Sequence, residues 1–243
     1  MSFTIVDGRF ADPKPRLLLI GSTGKIGERV LQELIGSNSF QISILLRNPG
    51  SYNNIHNLKV FHGDILDKSL EDSIRWADII INCSGFVSYK RPDKDKLSLI
   101  NVEGVKNILN YCSKFNKPLI HSSSAIAYGS SSKPINFKED DNLSDVYRGT
   151  YAITKSIADD LIIKSGIPYL LLRPSTLIST LTSLYNFYKK GFVAELSGGA
   201  SFALMDDVAP AYRSAVELMC QGAPSAIYNL GGHNLTFKEV FTH

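Results

Sequence analysis

A tyrosine and a lysine stand four residues apart in Tyr151-Ala-Ile-Thr-Lys155. On a helix that spacing puts both side chains on one face. A lysine ammonium held beside a phenol can lower the phenol's pKa, normally about 10, and each unit corresponds to roughly 1.4 kcal/mol. A depression of about 2–3 units would give a usable proton acceptor near neutral pH. The spacing alone decides little. With 11 tyrosines in the chain a chance match is expected, and a second one, Tyr185 to Lys189, is present. The surrounding sequence has to separate the two.

A second chemical feature is the loop Gly21-Ser-Thr-Gly-Lys-Ile-Gly27. Its glycines sit between an apolar run, Leu17–Ile20, and a helical pattern from Ile26 to Ile35. Glycines there allow a tight turn and bring backbone N–H groups close to a pyrophosphate at the helix N-terminus. Gly21, Thr23, Gly24, Lys25, Ile26 and Gly27 are the expected contacts. The strand after this helix ends in Leu46-Arg47-Asn48, with no carboxylate to receive a ribose 2′-hydroxyl. Arg47 is therefore a candidate ligand for the 2′-phosphate of NADP, the other reading being a solvated strand-end arginine. Asp64, followed by Ile65, could accept a hydrogen bond from an adenine amine or act as a turn aspartate.

Short apolar runs alternate with helical patterns from Leu17 to Leu172. Strands are expected at Leu17–Ile20, Ile42–Leu46, Leu58–Phe61, Ile79–Ile81, Leu119–His121 and Tyr169–Leu172. Helices are expected at Ile26–Ile35, Leu70–Trp76, Leu97–Phe115 and Tyr151–Lys164, the last with Ile153, Ile157, Leu161 and Ile162 inward. Such alternation predicts an α/β, doubly wound parallel sheet of Rossmann type. Two domains are expected: residues 1–174 as the dinucleotide-binding and catalytic domain, and 175–243 as a small substrate lobe. That lobe would contain helices at Leu177–Lys190 and Asp207–Cys220 and a strand, Ala226–Leu230, returning to the core.

The motifs, in order, resemble the extended short-chain dehydrogenase/reductase family of NAD(P)-dependent epimerase/dehydratase type. They are Gly21–Gly27, Gly63-Asp64, Asn82-Cys-Ser-Gly85, Asn101-Val-Glu-Gly104, Ser122–Gly129, Tyr151–Lys155, Arg173-Pro174, Asp206-Asp-Val208 and Asn229–Gly232. The resemblance implies a catalytic set of Ser124, Tyr151 and Lys155, and it separates Tyr151 from Tyr185, which has no such serine upstream. It implies that Lys155 binds the nicotinamide ribose and lowers the phenol's pKa. Tyr151 would exchange a proton with a substrate oxygen that Ser124 also holds. Cys83, Ser84 and Gly85 would line the cofactor, and Pro174 would border the nicotinamide. The cofactor implied is NADP, or NAD, and the partner a small-molecule substrate. Pairing of two copies through Leu97–Phe115 and Tyr151–Lys164 is common in the family.

Departures from the family pattern narrow the chemistry. Ala125 and Ile126 stand where 4,6-dehydratases carry an Asp-Glu acid/base pair, and neither can exchange a proton. Thr176 stands where galactose-epimerase-like members carry an asparagine for the nucleotide diphosphate. The short span from Pro174 to Asp207 implies a small substrate lobe. The favoured expectation is an oxidoreductase acting on a carbonyl or secondary alcohol of a small or sugar-derived substrate. A sugar-nucleotide epimerase and a non-catalytic NADP-sensing protein are the alternatives.

Composition removes other classes. The net charge is +3, and the densest cationic stretch, Lys90 to Lys96, is interrupted by Asp93 and Asp95, which argues against a nucleic-acid patch. No apolar run approaches the roughly 18 residues of a membrane span, and Met1–Pro15 lacks the pattern of a signal peptide. Cys83, Cys112 and Cys220 show no CxxC spacing and read as free thiols of a reducing, cytoplasmic setting. The five histidines form no metal-ligand pattern.

Overall fold

Leu17, Leu18, Leu19 and Ile20 are each at most 2% exposed. A strand with both faces apolar needs a layer on each side, and burying each such side chain contributes roughly 1.5–3 kcal/mol before chain entropy is counted. The computed structural model supplies both layers. It describes residues 3–6, 9–10, 13–48, 58–131, 135–143, 147, 149–181 and 198–242.

A two-stranded antiparallel ribbon, β1 (Ile5–Val6) and β2 (Arg9–Phe10), comes first. The main chain of elements then runs β3 (Arg16–Ile20), α1 (Lys25–Ser37), β4 (Gln41–Leu46), β5 (Leu58–His62), α2 (Leu70–Trp76) and β6 (Ile79–Asn82). Next come α3 (Lys94–Ser98), one π-helical turn (Leu99–Glu103) and α4 (Gly104–Lys114). Then follow β7 (Leu119–Ser122), α5 (Thr150–Ile163), β8 (Tyr169–Pro174), β9 (Thr176–Leu177), β10 (Gly199–Ala203), α6 (Met205–Cys220), β11 (Ala226–Leu230), β12 (His233–Thr236) and α7 (Phe237–Thr242).

Seven parallel strands form one sheet in the order β11-β8-β7-β6-β3-β4-β5. Helices cover both faces, which is the doubly wound α/β fold. Leu17, Leu19, Ile79 and Ile81 face a core shared with Val30, Leu34, Tyr212 and Val216 from α1 and α6. Leu18, Ile20 and Ile80 face the other way, onto Leu70, Ile74, Ile108, Ala158 and Ile162. The chain leaves β3 toward β4 and β5, then returns to β6 on the opposite side of β3. Neighbouring connections therefore diverge at the carboxyl ends of β3 and β6 and leave a crevice there.

A second, three-stranded sheet, β12-β10-β9, lies outside the main one; β10 pairs antiparallel with β12 and parallel with β9. The periodicity of the sequence does not announce these short, polar strands. Leu177 ends β9 and precedes a 3-10 turn at Ile178–Thr180, so it does not begin the expected helix; positions 182–190, with Tyr185 and Lys189, lie outside the described residues.

The face of α5 also differs from expectation. Ile153 and Ile157 point outward at 41% and 42% exposure, whereas Tyr151, Thr154, Lys155, Ser156 and Asp159 are buried. The helix turns a polar stripe inward because that stripe is hydrogen-bonded to the sheet's carboxyl edge, and apolar periodicity cannot register such a face.

Glycine requirements separate two positions sharply. Gly21 has φ +85°, and a Cβ there would lie 2.5 Å from the Ser84 nitrogen; Gly36, in α1, has nothing within 4 Å. Gly21→Ala should lose at least about 2 kcal/mol. Gly36→Ala should gain roughly 0.5–1 kcal/mol. Urea unfolding of the two variants checks both signs.

Candidate active site

The crevice is walled by backbone that tolerates no side chain. The Gly24 N–H donates to the Gly21 carbonyl at 3.0 Å, closing the turn, and a Cβ on Gly27 would collide with that same carbonyl. Gly24 caps α1 with extended backbone and offers no side chain to its first amides. Thr23, Gly24 and Lys25 are exposed, Ile26 is half-buried and Gly27 is buried. A 13-residue helix thus opens toward the crevice with free first-turn N–H groups, an arrangement suited to an anion. Across from it, the Cys83 N–H donates to the Ile20 carbonyl at 2.9 Å, and the Asn82 carboxamide oxygen accepts from the Ser84 N–H at 2.9 Å. Gly85 is exposed, and a Cβ there would lie 3.7 Å from Lys155 Nζ.

Ser124, Tyr151 and Lys155 gather at the carboxyl edge of the sheet beside this crevice. Ser124 starts the 3-10 turn Ala125–Tyr128 directly after β7, its Oγ accepting from the Ile126 N–H at 3.4 Å. Its hydroxyl lies near enough to the Tyr151 phenol to favour the ionised form. Lys155 is 5% exposed, and its Nζ donates to the Ser122 carbonyl at 2.8 Å. Burial lowers the Lys155 pKa, and the nearby Asp159 carboxylate opposes that. Tyr151 is 9% exposed, and the Tyr89 ring meets it edge-on at 6.0 Å. Burial and then Tyr89 push the phenol up to about 12, which the Ser124 hydroxyl only partly offsets. The depressed phenol expected from the Tyr-Lys spacing is therefore not found in this form. Desolvation dominates, and the Lys155 ammonium is engaged with the Ser122 carbonyl.

The sequence model of the family described as "NAD dependent epimerase/dehydratase family" matches residues 17–231. The chain belongs to this family. It is 26% identical over 174 residues to UDP-N-acetyl-alpha-D-glucosaminuronate decarboxylase of Bacillus cytotoxicus, covering 66% of this chain and 54% of that one. It is 25% identical over 165 residues to the decarboxylating sterol-4-alpha-carboxylate 3-dehydrogenase of Saccharomyces cerevisiae, covering 63% and 46%. The chain thus spans about half the length of these curated relatives. In fold it is similar to Bordetella bronchiseptica WbmG, crystallised with NAD, with a TM-score of 0.75 at 20% identity, covering 95% of this chain and 77% of that one. Thermus thermophilus UDP-glucose 4-epimerase, also crystallised with NAD, gives 0.73 at 19%, covering 93% and 81%.

Other expected family positions fall around the same crevice. Arg47 follows β4 with its side chain 76% exposed, and its Nε lies 3.9 Å from Asp64 Oδ2, a loose pair in which solvent leaves little net attraction. Asp64 also accepts from the Leu66 N–H at 3.0 Å, so the turn role weighed from sequence is present in the geometry. Ile65 is buried against Gly104, and its carbonyl accepts from Asn107 at 2.7 Å. Pro174 is buried at the end of β8.

Three residues given no role from sequence hold the site together. Asn101, in the π turn, donates through Nδ2 to the Phe86 carbonyl at 2.9 Å and to Thr154 Oγ1 at 3.1 Å, while its Oδ1 accepts from the Phe86 N–H at 2.8 Å. It ties the loop after β6 to α5 next to Tyr151, and a π turn is a frequent local signature of such a site. Asp159 and Arg173 form an ion pair at 2.9 Å with side chains 0% and 1% exposed. A signal for this pair existed: Arg173 closes the apolar run of β8, and a buried guanidinium demands a partner.

His121 lies under the site at 0% exposure. Asn82 Oδ1 is occupied by Ser84, so Asn82 Nδ2 donates to His121 Nδ1 at 3.1 Å, and the proton of the neutral ring sits on Nε2. Burial, then Lys155, holds the imidazole pKa well below its ordinary value. The folded state therefore keeps His121 neutral while the unfolded chain protonates it below about pH 6.5. Stability contributed by the neutral ring is complete above that pH and is lost as pH falls, at up to roughly 1.4 kcal/mol per unit. Urea unfolding at pH 7.5, 6.5 and 5.5 should show a steeper acid loss for wild type than for His121→Gln; equal slopes would contradict the assignment.

Proposed function

We propose that the protein is an NAD(P)-dependent oxidoreductase acting on a carbonyl or secondary alcohol of a small or sugar-derived substrate. The observation that carries this reading is the convergence of Ser124, Tyr151 and Lys155 beside a glycine-walled crevice. That crevice fits a dinucleotide: Gly21 and Gly27 leave no room for a Cβ, and the start of α1 offers uncapped N–H groups. Gly21, Thr23, Gly24, Lys25, Ile26 and Gly27 would hold the pyrophosphate end. Asp64 and Ile65 would meet the adenine, and Cys83, Ser84, Gly85 and Pro174 would line the remainder. When bound, the dinucleotide supplies the hydride acceptor or donor.

With a pKa near 12 the Tyr151 phenol is protonated at neutral pH, so it enters reaction as an acid. It would give its proton to the oxygen of a carbonyl as that oxygen gains negative charge, while the Ser124 hydroxyl donates to the same oxygen. Lys155, a buried cation four residues along the helix, would stabilise the phenolate left behind and bind ribose hydroxyls. Ala125 and Ile126 supply no second acid/base pair, which disfavours 4,6-dehydration.

A sugar-nucleotide epimerase is the second reading. It is favoured by relatives such as WbmG, crystallised with NAD and UDP, and disfavoured by Thr176. NADP is the preferred cofactor in our reading because the exposed Arg47 is held only loosely by Asp64. Residues 1–174 would form the dinucleotide-binding domain and 175–243 a small substrate lobe built around β9, β10 and β12. The cysteines, all free thiols, accord with a cytoplasmic setting.

Tyr151→Phe should lower turnover of NADPH with an identified carbonyl substrate by roughly 100-fold or more. Arg47→Ala should weaken NADPH binding at least about tenfold and leave NADH binding unchanged, as read by reduced-nicotinamide fluorescence. Full turnover in the first variant removes the catalytic assignment. Wild-type binding of NADH tenfold tighter than NADPH removes the cofactor preference.

The outward Ile153 and Ile157 support a homodimer paired through α4 and α5. Light scattering on the purified protein should give twice the chain mass, and Ile153→Asp/Ile157→Asp should give the monomer; a monomeric wild type ends that proposal.

A further inference from the structure

Tyr151, Lys155 and Asp159 follow one another at four-residue intervals, so one stripe of α5 carries a phenol, an ammonium and a carboxylate into the interior. Asp159 is 0% exposed, and its Oδ2 accepts from Arg173 Nε at 2.9 Å. Arg173, 1% exposed, closes β8 and places its guanidinium 4.4 Å from the centroid of the Tyr128 ring. Tyr128 is fixed in turn by a hydrogen bond from its hydroxyl to Asn229 Oδ1 at 2.9 Å, from the neighbouring strand β11. The interior behind Lys155 thus holds two cations and one anion.

We infer that Asp159, locked by Arg173, is the positioning residue that keeps the Lys155 ammonium charged inside the site. This rests on the reading of Lys155 as a working member of that site. The physical argument is one of unequal acids. Without Asp159, two cations would share a region of low polarity, and one of them must shed its charge. A guanidinium does not deprotonate in proteins, so the proton would leave Lys155.

The other groups facing Lys155 cannot replace Asp159. Tyr151 on the same helix is a protonated phenol, with a pKa near 12. Cys83, after β6, is a thiol pushed up to about 12 by burial. His121 on β7 is neutral, and Ser122 offers a carbonyl oxygen. From α6, Tyr212 reaches Ser122 Oγ with a phenol pushed well up by burial. Asp159 is the formal negative charge among them, and from four residues along α5 its carboxylate raises the Lys155 pKa against burial. Burial raises the Asp159 pKa, and Arg173 and then Lys155 oppose that rise, so the anion is held by the cations it serves.

The test reads Lys155 itself. Protein carrying 13C at lysine Cε is titrated by NMR, and the Lys155 resonance is assigned with Lys155→Arg. In folded Asp159→Asn the midpoint of the Lys155 titration should fall by about one pH unit or more, the usual effect of a nearby opposite charge. Asp159→Glu should keep it within about half a unit, because the charge remains. A merely structural role would change unfolding by urea and leave the Lys155 midpoint in place; a folded Asp159→Asn with an unmoved midpoint overturns the inference. Should Asp159→Asn fail to fold because Arg173 is stranded, Asp159→Asn/Arg173→Met removes both charges together. A downward shift is expected there too, smaller because the Arg173 guanidinium leaves together with the carboxylate, and its absence is equally decisive. Fluorescence titration of wild type with NADH and NADPH separates this inference from the proposed function. Failure to bind either would end the oxidoreductase reading and leave the Lys155 comparison standing.

Discussion

A lysine ammonium at 5% exposure is the constraint around which the rest of this structure is arranged. Removing such an ion from water costs several kcal/mol unless hydrogen bonds and an opposite charge compensate. Lys155 obtains a carbonyl acceptor from the end of β7 and a carboxylate from its own helix. Each requirement propagates. The carbonyl must lie at the sheet edge, so α5 packs with its polar stripe down. The carboxylate must be buried too, so β8 supplies an arginine, and that arginine needs the Tyr128 face. Ile153 and Ile157 are displaced to the outside by this chain of demands, while Ala158 and Ile162, as expected of the latter, stay in the core.

The other fixed point is the divergence of the chain at β3 and β6. Gly21 lies against the backbone of Cys83 and Ser84, so the loops leaving β3 and β6 meet there through main chain. The loop after β6 is then pinned by Asn101 to Thr154, which in turn donates to the Tyr151 carbonyl at 2.8 Å. One side chain in a π turn therefore connects the crevice wall to the helix that carries the phenol. A displacement of either would be transmitted to the other through hydrogen bonds of 2.8–3.1 Å.

How much of this could be read from the chain depended on whether the signal was apolar. The central strands β3, β6 and β8 were legible because they are buried on both faces and read as nearly continuous apolar runs, whereas the edge strands β5 and β11 are only partly buried. The glycine loop was legible because backbone contact leaves no substitute for glycine at Gly21 and Gly27. The inner face of α5 was misread because periodicity measures grease, and this face is built from hydrogen bonds. Strands β9, β10 and β12 were missed because they are short, edge-like and partly polar. The ion pair was present in the sequence as an acid four residues after Lys155 and an arginine closing Leu170-Leu-Leu172. Only tertiary structure shows that the two meet.

The phenol's protonation state follows from the same arrangement and gives the site a direction. The desolvation that raises Tyr151 to about 12 also lowers the Lys155 pKa, and a neutral lysine could not lower the barrier to phenolate formation. On our inference, the Asp159–Arg173 ion pair beside the lysine separates the two effects: the phenol stays an acid, and the ammonium stays a cation. Negative charge moving from a substrate oxygen's proton donor into the site then meets a positive charge already in place, with no reorganisation required at that moment. On the proposed function this favours proton donation to a carbonyl in the free site. The reverse direction would require the phenol's pKa to fall when the crevice is filled, through Lys155 exchanging the Ser122 carbonyl for new partners.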